Sequence, residues 1–182
     1  MKKGEYINTY CGIKFYVLEP DPESVNERDI AHALSLLCRA NGHCRHFYSV
    51  AQHSINCSVE AEKRGYTKRV QLACLVHDGS EAYIADITRP FKRILSQYLE
   101  IEKKIQSCVF ERFGLCDLSE DERKAVSDVD DALLYYEFDA MHNIEMWSAP
   151  PFIASAPDFS LRETTKVEAE FLQRLESLCG DL

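Results

Sequence analysis

Between Thr67 and Asp78 the chain runs TKRVQLACLVHD. Thr67 is a suitable N-cap, and Val70, Ala73, Cys74 and Val76 make a helix apolar enough to lie mostly inside a protein. It leads straight into His77 and Asp78, an imidazole and a carboxylate that are costly to bury without a partner. Any fold of this chain must therefore surround the helix with apolar neighbours and also satisfy two polar groups at its end. Glu81 follows three to four residues on, along the same helical face, and Asp86 follows it. The stretch then leaves through a basic, proline-broken exit, Arg89-Pro-Phe-Lys92. Divalent metals accept an imidazole beside a carboxylate, and a nearby carboxylate left off the metal is what metal-assisted hydrolysis uses to handle protons.

The surroundings that this helix requires are present in the sequence. Tyr6 to Leu18 is β-branched and aromatic around a Cys-Gly turn, and reads as a small hairpin. Ser24-Val-Asn-Glu27 has the form of a capping box for a helix reaching about Cys38 through Ile30, Ala33, Leu34 and Leu37. His32 on that helix reads as a surface or supporting group. Arg39 to Tyr48 is a loop with an Asn-Gly turn, rich in basic and titratable groups (Arg39, His43, Arg45, His46). Ser49 caps a helix to about Arg64 that carries His53, with Gly65 as its stop. Its apolar face (Val50, Ile55, Val59, Ala61) is imperfect. Further helices are predicted over Leu95–Phe113, with Leu99, Ile105, Val109 and Phe110 inward, and from a capping box at Ser119–Glu122 to about Met141. Trp147 to Phe159 is a proline-rich crossing, and Ser160 to Leu178 a final amphipathic helix.

With 182 residues these elements make one domain with its own core. The expected fold is mainly α, five to six helices around one core with a small N-terminal β hairpin. Residues 1–22 form the hairpin and linker, 24–146 the helices of the metal site, and 147–182 the crossing and C-terminal helix. A formal charge of −9, from 21 basic and 30 acidic residues, argues against a protein that tracks a nucleic-acid polymer. It leaves room for a small anion held by a metal and a few arginines. No apolar run reaches the roughly 18 residues of a membrane helix. With no signal peptide read at the start, a cytoplasmic location and free thiols are expected. The eight cysteines (11, 38, 44, 57, 74, 108, 116, 179) include no Cys-x-x-Cys pair, which speaks against a zinc-cysteine site.

His53, His77-Asp78 and Asp130 lie on three separate predicted helices. Asp131 is a rival to Asp130, since the helix can be read one residue out. Four N/O donors from three elements suit an open octahedral-type site rather than a closed structural zinc site.

The pattern H…HD…D, with Gly-Ser-Glu-Ala-Tyr-Ile-Ala-Asp-Ile and Arg-Pro-Phe-Lys after the HD pair, resembles the HD-domain phosphohydrolases. The likeness is strongest to the small bacterial and phage branch of 5′-deoxynucleotidases and deoxynucleoside triphosphate triphosphohydrolases. It extends through Asp29-Ile-Ala-His-Ala-Leu, Asn41-Gly-His, Phe47-Tyr-Ser-Val-Ala-Gln-His-Ser54 and Asp130-x-x-x-Leu-x-x-Glu137. The resemblance implies that His53, His77, Asp78 and Asp130 hold one divalent transition metal ion (Mn²⁺, Co²⁺, Ni²⁺, Fe²⁺ or Zn²⁺). Glu81 would be the catalytic carboxylate, Arg39 would hold a substrate phosphate and Asp86 would face the sugar. Arg45, His46 and Pro90 are further candidate substrate contacts, and Arg89, Lys92 and Arg93 are cations available to a triphosphate. Three positions depart from the branch: Gly79 stands where Ala is frequent, expected to matter little; Thr88 where Pro is frequent; and Ala40 where some nucleotidases have Trp. No histidine lies between Gly79 and Val129, which favours one metal over two and disfavours oxygen chemistry. The implied substrate is a nucleotide, foremost a 5′-deoxynucleoside monophosphate. The alternatives are a triphosphate and a non-catalytic, nucleotide-binding regulator. The resemblance leaves a homodimer open.

Overall fold

The computed structural model describes residues 4–142 and 149–180. It is mainly helical, with a small antiparallel hairpin of β1 (Ile7–Asn8) and β2 (Lys14–Phe15). Gly12, at φ 79°, takes the left-handed turn position that a side chain would strain. Phe15 is fully buried and stacks on Tyr83, with ring centroids 3.9 Å apart. The hairpin therefore props the segment that carries Glu81.

The helices are α1 (Glu27–Leu36), α2 (Val50–Lys63), α3 (Lys68–Val76), α4 (Glu81–Ile84), α5 (Arg89–Lys92), α6 (Ser96–Arg112), α7 (Glu120–His142) and α8 (Thr164–Cys179). Among the described residues six of these have nine residues or more and two are single turns. None is long and apolar enough to cross a membrane. Three caps follow the sequence reading. The Ser49 hydroxyl accepts from the Gln52 amide and Thr67 from the Val70 amide, while Ser119 and Glu122 exchange a reciprocal pair. The first cap differs. Pro22 and the Asp21 side chain set a 3-10 turn that consumes Ser24, so Asn26 caps α1 through the amides of Arg28 and Asp29.

The imperfect apolar face of α2 has a physical reason. The helix packs on α1, α3, α7 and α8, and from residue 50 to 61 only Val59 is less than fully buried. Most of its polar side chains are then satisfied inside the protein, Ser54 Oγ being without a hydrogen-bond partner among the described residues. Gln52 donates to the Asp158 and Ser160 carbonyls, Asn56 donates to the Asp158 carbonyl and the Tyr48 hydroxyl, and the Ser58 hydroxyl donates to Gln71 O. Glu60 accepts from the backbone amides of Ala154 and Ser155. These bonds hold the crossing extended against α2, so α8 begins at Thr164 rather than Ser160. Trp147 and Ser148, at the start of the predicted crossing, lie outside the described residues.

Two further expectations are corrected. Leu99 is 39 % exposed, because it lies at the outer end of α6, while Ile105 and Val109 carry the inward face. Gly79 is not interchangeable with Ala. A Cβ built there would approach Val109 Cγ1 to 2.8 Å and Val76 O to 3.0 Å, so close packing of α6 against the turn after His77 demands a glycine. His32 lies near the surface, stacked on Tyr10 and paired with Glu168. All eight cysteines are free.

Candidate metal centre

His77 sits at the end of α3, where its Nδ1–H donates to the Cys74 carbonyl at 2.8 Å. His53, on α2, points Nδ1–H at Glu137 Oε1, 2.5 Å away. Each imidazole thus spends its Nδ1 proton on a protein acceptor, which leaves each Nε2 with its lone pair when the ring is neutral. The two Nε2 atoms face each other at 3.3 Å. Asp130 Oδ1 lies 3.1 Å from His53 Nε2 and 3.7 Å from His77 Nε2, and Asp78 Oδ2 lies 3.3 Å from His77 Nε2 and 3.8 Å from His53 Nε2.

Four electron-pair donors converging in this way repel unless positive charge stands between them. Burial and the Arg39 cation push the His53 pKa down, but Cys57, Glu137 and Asp130 outweigh them and leave it well above the ordinary value. For His77, burial is likewise outweighed, chiefly by Asp78 and Asp130. Asp130 is held well below the usual carboxylate range, since its bonds to His53 and His77 overcome the cost of burial. The shell calls for a cation. Donor separations of 3.1–3.8 Å suit atoms each about 2.0–2.3 Å from one shared ion, so the residues present fit a bound metal.

The structure decides between the two aspartates of α7. Asp130 turns into the centre, while Asp131 is 59 % exposed and bonds Arg89 Nη1 at 2.8 Å. Arg89 also reaches the outer oxygen of Asp130, Nη2 to Oδ2 at 2.7 Å, and so clasps both carboxylates at the rim.

A cavity of about 190 Å³ opens beside the centre, with Arg39, Asp78, Glu81, Asp86, Thr88, Arg89, Pro90, Lys92 and Asp130 among its lining residues. That is room for a small molecule. Arg39 projects from a tight turn in which Ala40 and Asn41 take left-handed φ of 51° and 53°. Its Nε is 3.1 Å from Glu137 Oε2 and its Nη1 is 3.3 Å from Asp78 Oδ2. Glu81 is buried at the first turn of α4. Burial, then the negative charges of Asp78 and Asp86, push its pKa well up. Its Oε1 is 3.7 Å from Lys92 Nζ, and its Oε2 has no hydrogen-bond partner among the described residues.

Of the residues predicted from sequence, the fold brings Arg39, His53, His77, Asp78, Glu81, Asp86, Pro90 and Asp130 to this one region. Arg45 and His46 are not among the cavity-lining residues. The His46 Nε2–H donates to the Phe159 carbonyl at 2.9 Å, and the Arg45 amide to Met141 O. Lys92 lines the cavity but is engaged by Glu102.

Two residues had no role in the site assigned from sequence, although Glu137 stood in the motif with Asp130. Glu137 ties His53 to Arg39 and also accepts from the Tyr48 hydroxyl at 3.0 Å. It lies two turns beyond Asp130 on the same face of α7, the one periodic signal that pointed to it. Cys57 lies one turn beyond His53 on α2, with Sγ 3.4 Å from His53 Nε2. Burial pushes this thiol up to about 11. One donor atom each from His53, Cys57, His77 and Asp130 fall within 4.8 Å of one another, so a thiol does belong to this group, against the expectation of N/O donors alone.

No family model matches the chain. It is 39% identical over 110 residues to the uncharacterised protein YfdR of Escherichia coli, a match covering 60% of this chain and 59% of that one. It is 33% identical over 109 residues to an uncharacterised protein of Rhodobacter capsulatus, covering 57% of this chain and 56% of the relative. The chain thus spans under two thirds of the length of either relative.

Proposed function

We propose that the protein is a metal-dependent phosphohydrolase of (deoxy)nucleotides, acting on 5′-deoxynucleoside monophosphates. One observation carries the reading. Four donors from His53, His77, Asp78 and Asp130 converge at the wall of a cavity that also holds a buried guanidinium, Arg39, and an unpartnered carboxyl oxygen, Glu81 Oε2. The resemblance to HD-domain phosphohydrolases, which assigns these same residues, agrees with it.

A divalent ion held by His53, His77, Asp78 and Asp130 would supply Lewis acidity toward a phosphoryl oxygen and lower the pKa of a nearby water. The residues do the rest. Arg39, oriented by Glu137, offers a planar fork to the phosphoryl oxygens and offsets the charge that builds on them. Glu81 Oε2 takes the proton of the attacking water. Burial and the charges of Asp78 and Asp86 raise its pKa, the direction that strengthens it as a proton acceptor, and the leaving 5′ oxygen takes a proton from solvent. Water is consumed, the ester P–O bond breaks, and a nucleoside and inorganic phosphate leave. Asp86 faces the sugar.

The monophosphate is favoured because it asks only Arg39, itself paired with Glu137 and Asp78, to turn to phosphate, whereas a triphosphate would also need Arg89 and Lys92 to leave their carboxylates. Arg89 is bound to Asp130 and Asp131, and Lys92 to Glu102.

The test strips the protein with chelator and reloads it separately with Mn²⁺, Co²⁺, Ni²⁺, Zn²⁺ and Mg²⁺. Phosphate and triphosphate release are then measured from all deoxy- and ribonucleoside mono- and triphosphates. Inorganic phosphate from deoxynucleoside monophosphates is expected. Tripolyphosphate from a deoxynucleoside triphosphate would move the protein to the triphosphohydrolases, and no release with any ion would sink the reading. Glu81→Gln should abolish turnover while the protein still binds metal.

A further inference from the structure

Beside the cavity-facing donor Asp78, the centre has a buried neighbour that does not face the cavity. Cys57 is 1 % exposed and does not line the cavity. Its sulfur lies 3.4 Å from His53 Nε2 but 3.9 Å from Nδ1, so it is displaced toward the nitrogen that faces the other donors. His53 and Cys57 share one face of α2, one turn apart, so a rotation of the Cys57 side chain can bring its sulfur toward the ion that His53 Nε2 would bind. The mutually close set of donor atoms is His53, Cys57, His77 and Asp130; Asp78 is not part of it.

The geometry points to Cys57 as an alternative fourth donor. With His53, His77 and Asp130 it completes a closed, four-coordinate set for a thiophilic ion such as Zn²⁺ or Cd²⁺, in competition with the open set that Asp78 completes. This rests on the metal centre of the proposed function and adds a rule for which ion leaves that centre competent. Two imidazoles, a thiolate and a carboxylate suit a tetrahedral soft or borderline ion, whereas Mn²⁺ prefers the carboxylate oxygens. Binding through Cys57 replaces the S–H bond with a sulfur–metal bond and releases that proton to solvent, so no oxidant or reductant is involved. A set filled by four protein donors leaves no position for substrate. Thiophilic ions therefore occupy the centre tightly and idly, and harder ions occupy it in the open form.

The experiment uses the full chain, stripped with chelator and titrated with Cd²⁺, Co²⁺ and Mn²⁺, in the wild type and in Cys57→Ser and Cys57→Ala. Two quantities are read: the near-ultraviolet sulfur-to-metal charge-transfer band, and affinity by competition with a chromophoric chelator. Expected is a band that saturates at one equivalent of Cd²⁺ or Co²⁺ and is absent from both variants. Cd²⁺ affinity should fall in the variants by more than the roughly 10- to 100-fold that loss of an outer partner costs, with Mn²⁺ affinity unchanged. Binding of Cd²⁺ without the band, or a band that survives in both variants, overturns the assignment. Zinc-edge X-ray absorption on the wild type needs no variant to fold, and finding only N and O neighbours overturns it equally. If the band is present but no ion supports turnover of any nucleotide, the proposed function falls while this assignment stands. If no divalent ion binds at all, both fall.

Discussion

On the α2–α7 side of the metal centre a chain of buried polar groups runs from one partner to the next, with Ser54 Oγ the exception on α2, whereas the segment from Glu81 to Lys92 leaves such groups partly free. His53 is held by Glu137, Glu137 by Arg39 and Tyr48, Tyr48 by Asn56, and Asn56 by the carbonyl of Asp158. Across the cavity the elements are single turns, Ala85 sits at φ 72°, Arg89 is half exposed, and Glu81 Oε2 lacks a partner among the described residues. On the proposed function the difference is one of task. Donors that must meet one ion gain from being fixed beforehand, since any looseness is paid for on binding. Groups that must meet a substrate keep hydrogen-bonding capacity and some strain in reserve.

The sharpest way to break this comparison is Glu137→Leu. It leaves Arg39 with only Asp78 and strips His53 Nδ1 and the Tyr48 hydroxyl of their acceptor. Denaturant unfolding should show a loss of about 3 kcal/mol, and metal affinity should fall roughly 10- to 100-fold. A variant as stable as the wild type, with unchanged metal affinity, would show that the network on this side is not what fixes the donors.

Glu60 extends the ordered side to the crossing and gives it a pH signature. Burial opposes its ionisation, but its bonds to Ser155, Arg64 and Ala154 win and hold its pKa below the ordinary carboxylate value. A depressed folded-state pKa contributes stability that is fully present above the unfolded-state value and lost as pH falls through the folded one. Wild-type stability should therefore decline on acidification below the usual glutamate range. Glu60→Gln should be about 2 kcal/mol less stable at neutral pH and flatter across that acid window. Thermal unfolding of both proteins from neutral pH down to pH about 3 checks the sign.

The smallest effect probes the other side. Ala85 takes φ 72° and ψ 158°, a region that costs a non-glycine residue energy, and its carbonyl is pinned by the Tyr98 hydroxyl at 2.8 Å. Ala85→Gly should raise stability by about 1 kcal/mol while raising KM for the nucleotide, because Asp86 next to it is less firmly placed. Higher stability with unchanged KM would separate the strain from the substrate side.

Much of the fold was legible because it is local. The caps at Ser49, Thr67 and Ser119 depend on contacts two or three residues away, and α6 and α7 depend on apolar spacing within one element. The reading slipped where a neighbour intervened: Ser24 lost its capping role to the turn that Pro22 sets, and Gly79 proved necessary because Val109 comes from α6. The site divides in the same way. His77, Asp78 and Glu81 are close in the chain, so their meeting was visible. Glu137 between His53 and Arg39, and Cys57 beside His53, required knowing how α2, α7 and the Arg39 turn pack.

What the sequence determined by itself is a mainly helical chain with an apolar helix ending on a histidine and an aspartate that need partners, because period, caps and burial costs act over a few residues. The tertiary structure decided which partners those are. It chose Asp130 over Asp131, turned His46 to Phe159 and set a thiol beside the imidazole. Those outcomes depend on the rotation of one helix against another, and separations of a few ångströms between distant residues are fixed only when the helices pack.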